Sequence, residues 1–198
     1  MFWAIYGIIL FAGFAMFVRE GLWSNAIALV NIIICGLIAF GFYQPITVWL
    51  DEMFDGQYTY VLDFVVLWFL FSFAMVVARA VTGAASKTRM RFKNPIDPVG
   101  GPLVGFVAAW VLAAFAMATL HASPMPKDAF GGKLVTPDQV NLAGPILSPD
   151  AAWIRFVERA SASEAFGNSS FTAKGFVEIS QLKRANFDKA PSVKVPRG

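Results

Sequence analysis

Four long apolar runs lie in the first 120 residues, and they constrain the fold more than any other feature of the sequence. They cover about residues 2–18, 22–42, 61–78 and 99–120. Each is close to the roughly 20 residues that an α-helix needs to cross the hydrocarbon core of a bilayer. The chain is also poor in charge, with 15% charged residues against about a quarter in soluble domains. The sequence therefore predicts an all-α membrane protein, a bundle of four transmembrane helices.

The start of the first run admits other interpretations. A secretory signal peptide carries basic residues before its apolar core, whereas Met1-Phe2-Trp3-Ala4 contains none. We therefore predict an uncleaved span. Because the run is short, a tilted or partly interfacial helix is the alternative.

The charges of the short connections predict the orientation. The connection between the second and third runs has no basic residue and contains Asp51, Glu52 and Asp55. Basic residues concentrate instead between the third and fourth runs: Arg79, Lys87, Arg89, Arg91 and Lys93. Short loops rich in Lys and Arg stay in the cytoplasm, while long segments cross largely regardless of charge. We therefore expect this basic loop inside, either as a topogenic loop or lying on an anionic leaflet, and both termini outside.

The fourth run carries a stripe of small residues at every fourth position: Gly101, Gly105, Ala109 and Ala113. Small residues allow close backbone approach, which drives helix association in lipid. The stripe predicts a helix-packing face. Its partner is either a helix of the same chain or a second copy.

Two polar residues lie inside the apolar runs. Asp63 is within one turn of the outer end of its run, so an interfacial carboxylate is the favoured interpretation, and proton or cation coupling is the alternative. Asn31 lies deeper, where a hydrogen bond to a neighbouring helix is favoured over contact with a substrate.

Residues 121–198 read as an extracytoplasmic, partly helical tail. A linker rich in Pro and Gly leads to an amphipathic helix near residues 149–160, with Trp153, Phe156 and Val157 on its apolar face. This face is expected on the outer leaflet, on the bundle or on a partner protein. Ser161 and Glu164 permit a second short helix, and a disordered end follows Phe187.

The chain lacks the patterns that catalysis and metal binding require. It has no phosphate-binding loop, no zinc-protease motif and no nucleophile elbow. Its single cysteine, Cys35, and single histidine, His121, cannot form a metal cluster at any usual spacing, and His121 with Ser123 lacks a third orienting group. No dense basic stripe suits nucleic acid. We expect no enzymatic activity, no cofactor, no metal and no nucleic-acid partner.

Three segments resemble the CvpA family, the bacterial colicin V production proteins. They are residues 17–23 (FVREGLW), the second span ending at Ala39, and residues 94–105 (NPIDPVGGPLVG). The resemblance covers about residues 5–120 and implies a four-span protein of the bacterial inner membrane, needed to make or export a peptide toxin and linked to envelope integrity. Pro95, Pro98, Pro102 and the longer tail depart from the family pattern.

Two functional hypotheses follow from these features. The first is a non-enzymatic accessory protein that packs through the fourth-helix stripe, as a homo-oligomer or with other membrane and envelope proteins, and presents its tail outside. The second is a subunit of an oligomeric channel or transporter with Asp63 and Asn31 near the path.

Overall fold

The computed structural model describes residues 1–55, 58–86, 96–126, 130–142, 144, 148–162 and 171–189. Four apolar helices come first: α1 (Phe2–Phe17), α2 (Leu22–Met53), α3 (Thr59–Ala85) and α4 (Ile96–Thr119), which a 3₁₀ turn extends over Leu120–Ala122. Two helices follow in the tail: α5 (Pro149–Ser161) and α6 (Ala173–Lys189). No strand occurs in these residues, so the all-helical prediction is confirmed for them.

Three helices are long and apolar enough to cross a membrane: Leu22–Met53, Thr59–Ala85 and Ile96–Ala122. Helix α1 is equally apolar but has 16 residues, which makes it about 24 Å long against a hydrocarbon core of about 30 Å. The structure therefore has three candidate crossings and a shorter apolar helix.

Helix α2 extends well past the predicted end of its apolar run at residue 42. It passes through Pro45 and continues to Met53, although proline removes one helical hydrogen bond. Tyr43 and Thr47 are both buried on this extension. The Thr47 hydroxyl also donates to the Tyr43 carbonyl at 2.8 Å. Burial of these two residues thus stabilises α2 beyond residue 42, where the composition of the sequence predicts that the apolar run ends.

Helix α2 is central, because it packs against both α3 and α4, while α1 packs against α4. Phe115 of α4 fills the space among α2, α3 and α4. Its ring stacks on Phe71 with centroids 4.2 Å apart and meets Trp68 and Phe40 edge-on. An aromatic core therefore occupies the middle of the bundle.

The small-residue stripe of α4 lies against α1 and the turn that follows it. A β-carbon added at Gly13 of α1 would lie 3.2 Å from Ala109 Cβ. One added at Gly101 would lie 3.0 Å from the Glu20 carbonyl oxygen, and one at Gly105 would lie 3.1 Å from Phe17 Cβ. Ala113 continues this buried face. The partner of the stripe is thus a helix of the same chain.

Large apolar side chains remain exposed on the outer faces of the helices, with a regular spacing along α2 and α3. They recur every fourth residue in two rows: Val30, Ile34, Ile38 and Phe42; Val61, Val65, Phe69 and Phe73. Apolar rows of this length on a soluble protein would promote aggregation. In a bilayer they contact lipid chains, as membrane helices require.

Candidate functional site

The tail folds back onto the helices through α5. Trp153 of α5 is 3% exposed, and its ring lies where a β-carbon at Gly36 of α2 would be. Its ring also meets Phe115 of α4 edge-on at 5.5 Å. Because Gly36 has no side chain, the indole can lie directly on the backbone of α2. The apolar face of α5 was expected on the outer leaflet, on the bundle or on a partner protein. Trp153 and Val157 are buried against the bundle, whereas Phe156 is 39% exposed.

The segment between α4 and α5 also packs instead of standing free. Phe130 and Leu134 are buried and form a cluster with Met117 of α4 and Phe2 of α1. Val135 and Val140 are buried as well. This packing holds the backbone of residues 130–142 over the end of the bundle and brings the start of α5 next to the 3₁₀ turn.

A buried polar network begins at this turn. His121 Nε2 lies 3.0 Å from Asp150 Oδ2, and the Val135 N–H donates to the same oxygen at 3.0 Å. His121 is 1% exposed and Asp150 is fully buried. Asp150 also lies in the first turn of α5, where the helix dipole favours a negative charge. One carboxylate therefore joins the end of α4, the connecting segment and α5.

Arg184 of α6 completes the network. Its Nη2 lies 3.3 Å from His121 Nδ1. A guanidinium has only donors, so Nδ1 must accept, and the imidazole carries its proton on Nε2, which donates to Asp150. Burial lowers the pKa of the Arg184 guanidinium, but an arginine stays protonated at neutral pH. The positive charge of Arg184 and the negative charge of Asp150 thus balance across a neutral histidine.

An ion pair lies beside this network. Lys183 Nζ of α6 contacts Asp63 Oδ2 of α3. The Asp63 side chain is 11% exposed and the Lys183 side chain 41%, so water screens the pair in part. The polar cluster, defined as Asp63, His121, Asp150, Lys183 and Arg184, therefore holds two acids and two bases and links α6 to α3 and α4.

The geometry of the polar cluster does not suit nucleophilic catalysis. Both ring nitrogens of His121 are engaged, and the Ser123 hydroxyl donates to the Leu120 carbonyl at 2.7 Å instead of to the imidazole. The cavity beside Ser123, Lys183 and Arg184 has a volume of about 10 Å³, roughly the size of one water molecule. Within the described ranges, no group of three His, Cys, Asp or Glu side chains could hold a metal ion.

Asn31 lies on α2, away from the polar cluster. Its side-chain amide donates to Thr82 Oγ1 of α3 at 3.2 Å, which is a bond between neighbouring helices. Asn31, Thr82 and Arg79 line a crevice of about 430 Å³. The remaining predicted members of the basic loop, Lys87, Arg89, Arg91 and Lys93, lie outside the described residues.

The sequence analysis did not identify Lys183, Arg184 or the partners of His121. A signal for α6 does exist, because Phe176, Ser180 and Arg184 recur at every fourth position and are all buried. The polar residues in this row hide it from a search for apolar periodicity.

Two segments that carry the family resemblance, around residues 17–23 and 94–105, contact each other in the structure. Asp97 Oδ1 accepts the Leu22 N–H at 2.8 Å, which caps the first turn of α2. The Asn25 amide donates to the Phe17 carbonyl at 3.0 Å and to the Gly101 carbonyl at 2.8 Å. Residues 17–25 and 97–105 thus form one contact, in which the glycines of α4 allow the turn after α1 to approach.

This contact lies within the part of the chain that is similar to a known protein family. No curated protein and no solved structure matches the chain. The family model described as Colicin V production protein matches residues 3–136, which run from the second residue of α1 through α4 and into the segment that packs over the bundle. By this match over more than half of its length, the chain belongs to the colicin V production protein family.

Proposed function

We propose that this protein is a non-enzymatic accessory protein of the bacterial inner membrane, with four spans and an external tail docked on them. Its role would be to support toxin production or export, or envelope integrity, through membrane or envelope partners. The observation that carries the proposal is the polar cluster. Lys183 of the tail is paired with Asp63 of α3, and His121 at the end of α4 hydrogen-bonds to Asp150 and Arg184 of the tail. This is the arrangement expected of a clamp that holds the tail in one position.

The orientation in this proposal rests on charge. Six of the sixteen basic residues are Arg19 and the five that follow the third apolar run in the sequence, whereas the connection between α2 and α3 has none. The positive-inside rule then puts the basic end in the cytoplasm and the tail outside. The docked tail would be the surface that envelope partners meet.

The alternative is a subunit of an oligomeric channel or transporter, and the placement of its two polar residues weighs against it. Asn31 pairs with Thr82, which lies about 28 Å along α3 from Asp63. The aromatic core around Phe115 occupies the bundle between these levels. A path that uses both residues within one chain would have to pass this core.

Charge reversal at the exposed ion pair separates the two functions. If Asp63 serves as a clamp, Asp63→Lys should weaken tail docking, and adding Lys183→Asp should restore it, because the pair is re-formed with its ends exchanged. If Asp63 carries protons or cations, the double variant should stay inactive, since the carboxylate would have moved to α6. The readouts are exclusion of an impermeant dye by cells that carry only the variant, and protease cleavage of the tail in membranes.

Exchange of Lys174 and Glu178, an exposed pair on α6, is the matched control and should change neither readout. Rescue of both readouts by the double reversal supports the clamp. Normal insertion and a docked tail without recovery of dye exclusion would instead support transport and contradict the accessory role.

A further inference from the structure

A groove runs beneath α5 on the lipid-facing side of the bundle, away from the polar cluster. Its volume is about 440 Å³, within the range of roughly 300–1,000 Å³ that is common for small-molecule sites. Its wall comes from α2, α4 and α5 and consists mainly of apolar side chains: Ile33, Trp110, Val111, Ala114, Ala152, Trp153 and Phe156. Two arginines of α5, Arg155 and Arg159, complete the lining.

The depth of the groove can be read along the helices. Leu22 and Asp97 are hydrogen-bonded at the basic end of the bundle. From there, the wall of the groove extends from Ile33, about 17 Å along α2, to Ala114, about 26 Å along α4. In a hydrocarbon core of about 30 Å, these levels fall in the half nearer to the tail. The groove therefore follows the acyl chains of the tail-side leaflet, from near the bilayer midplane to about 4 Å below the headgroups.

The two arginines are arranged to meet a negative charge at this level. Arg155 Nε donates to the Ala151 carbonyl at 3.3 Å, and Nη1 donates to the Asn141 carbonyl at 3.4 Å, so its guanidinium is held in place. Arg159 lies one turn further along the same face and is exposed. It makes no hydrogen bond or ion pair with the residues that the structure describes. A guanidinium of this kind binds phosphate through paired N–H donors.

We propose that this groove binds one anionic phospholipid of the tail-side leaflet. An acyl chain would lie along the apolar wall, and the phosphate and headgroup would contact Arg159 and Arg155. The apolar wall at membrane depth and the basic rim together specify a lipid. A soluble anion would use only the rim, and an apolar partner helix would leave Arg159 without a counter-charge. This inference rests on the membrane location and does not depend on the proposed accessory role.

The test is native mass spectrometry of the full chain released from detergent, with phosphatidylglycerol and phosphatidylcholine of identical acyl chains as probes. Phosphatidylglycerol should bind at least fivefold more tightly, since a basic residue near the surface contributes about fivefold in affinity for an anionic lipid. Arg159→Gln should reduce this preference about fivefold. Lys174→Gln removes an exposed lysine of α6, away from the groove, and should leave the preference unchanged.

A second variant tests the apolar wall independently. Ala152→Phe would place a ring in the groove and should weaken the binding of both lipids alike, while the Arg159→Gln result stands even if this variant folds poorly. Equal binding of the two lipids, or a preference that Arg159→Gln leaves intact, would overturn the proposal. Displacement by inorganic phosphate at millimolar concentration would reassign the rim to a free anion. A lipid-free dimer would assign the groove to a second copy.

Discussion

Asp150 connects three segments of the chain through one carboxylate. Its Oδ2 accepts from both His121 and the Val135 N–H, and Arg184 supplies the balancing positive charge across the imidazole. A carboxylate with no exposure to water is stable only when it is paired and hydrogen-bonded in this way. Loss of its charge should therefore affect three chain segments at once.

Asp150→Asn should lower the stability of the tail strongly. The amide keeps the shape of the side chain but removes the charge that balances Arg184, and breaking a buried pair costs about 3 kcal/mol or more. We expect a clear fall in the midpoint of thermal unfolding in a fixed detergent and faster protease cleavage of the tail.

Asp138→Asn is the matched control, because Asp138 is an exposed carboxylate of the segment between α4 and α5. Exposed substitutions of this kind change stability by about 0.5 kcal/mol or less. Equal unfolding midpoints for the two variants would show that the Asp150 charge does not hold the tail.

Helix α5 docks because one glycine of α2 leaves room for one indole. A β-carbon at Gly36 would overlap the Trp153 ring and lie 3.3 Å from Phe115 Cδ2. Trp153 is almost fully buried, so its ring cannot move aside without disturbing Phe115 and Phe40. The fit between α5 and α2 should thus be sensitive to a single methyl group.

Gly36→Ala should therefore loosen α5, at a cost of about 1–3 kcal/mol for overpacking. Trp153→Phe in the same chain should recover part of this loss, since the smaller ring leaves space for the new methyl group. Gly41→Ala serves as control, because no atom lies within 4 Å of a β-carbon at that position. Thermal unfolding of the wild type, the single variants Gly36→Ala and Trp153→Phe and the double variant measures the coupling, and strictly additive losses would argue against a direct contact.

The elements that could be predicted are those whose signal is local. The apolar runs indicated α1 to α4 because consecutive residues determine the length and hydropathy of a membrane helix. The small residues at every fourth position of α4 likewise indicated a packing face. Local sequence signals could not predict two other features: the extension of α2 past Pro45, and the buried row of Phe176, Ser180 and Arg184 on α6. Both depend on burial against other segments, as Lys183 does on Asp63, 120 positions away.

The whole molecule is held by polar contacts at its two ends and by apolar packing between them. At one end Asp97 and Asn25 join the turn after α1 to α2 and α4. At the other end the polar cluster joins α6 to α3 and α4. Water and headgroups can hydrogen-bond to polar groups near the ends of a membrane helix, whereas the hydrocarbon core offers no such partners. The order of the elements then puts residues 51–55 and the tail at the same end.

This arrangement predicts which positions a membrane-impermeant maleimide reaches in intact cells. In a Cys35→Ser background, which removes the buried native thiol, Glu52→Cys and Gln139→Cys should react, and Ala85→Cys should react only after permeabilisation. All three positions are exposed in the structure. A cysteine inserted after Met1 should react like Glu52→Cys if α1 crosses the bilayer, and like Ala85→Cys if it does not. Reaction at Ala85→Cys alone would invert the bundle, contradict the charge argument and move the tail, with its partners and its lipid groove, to the cytoplasmic leaflet.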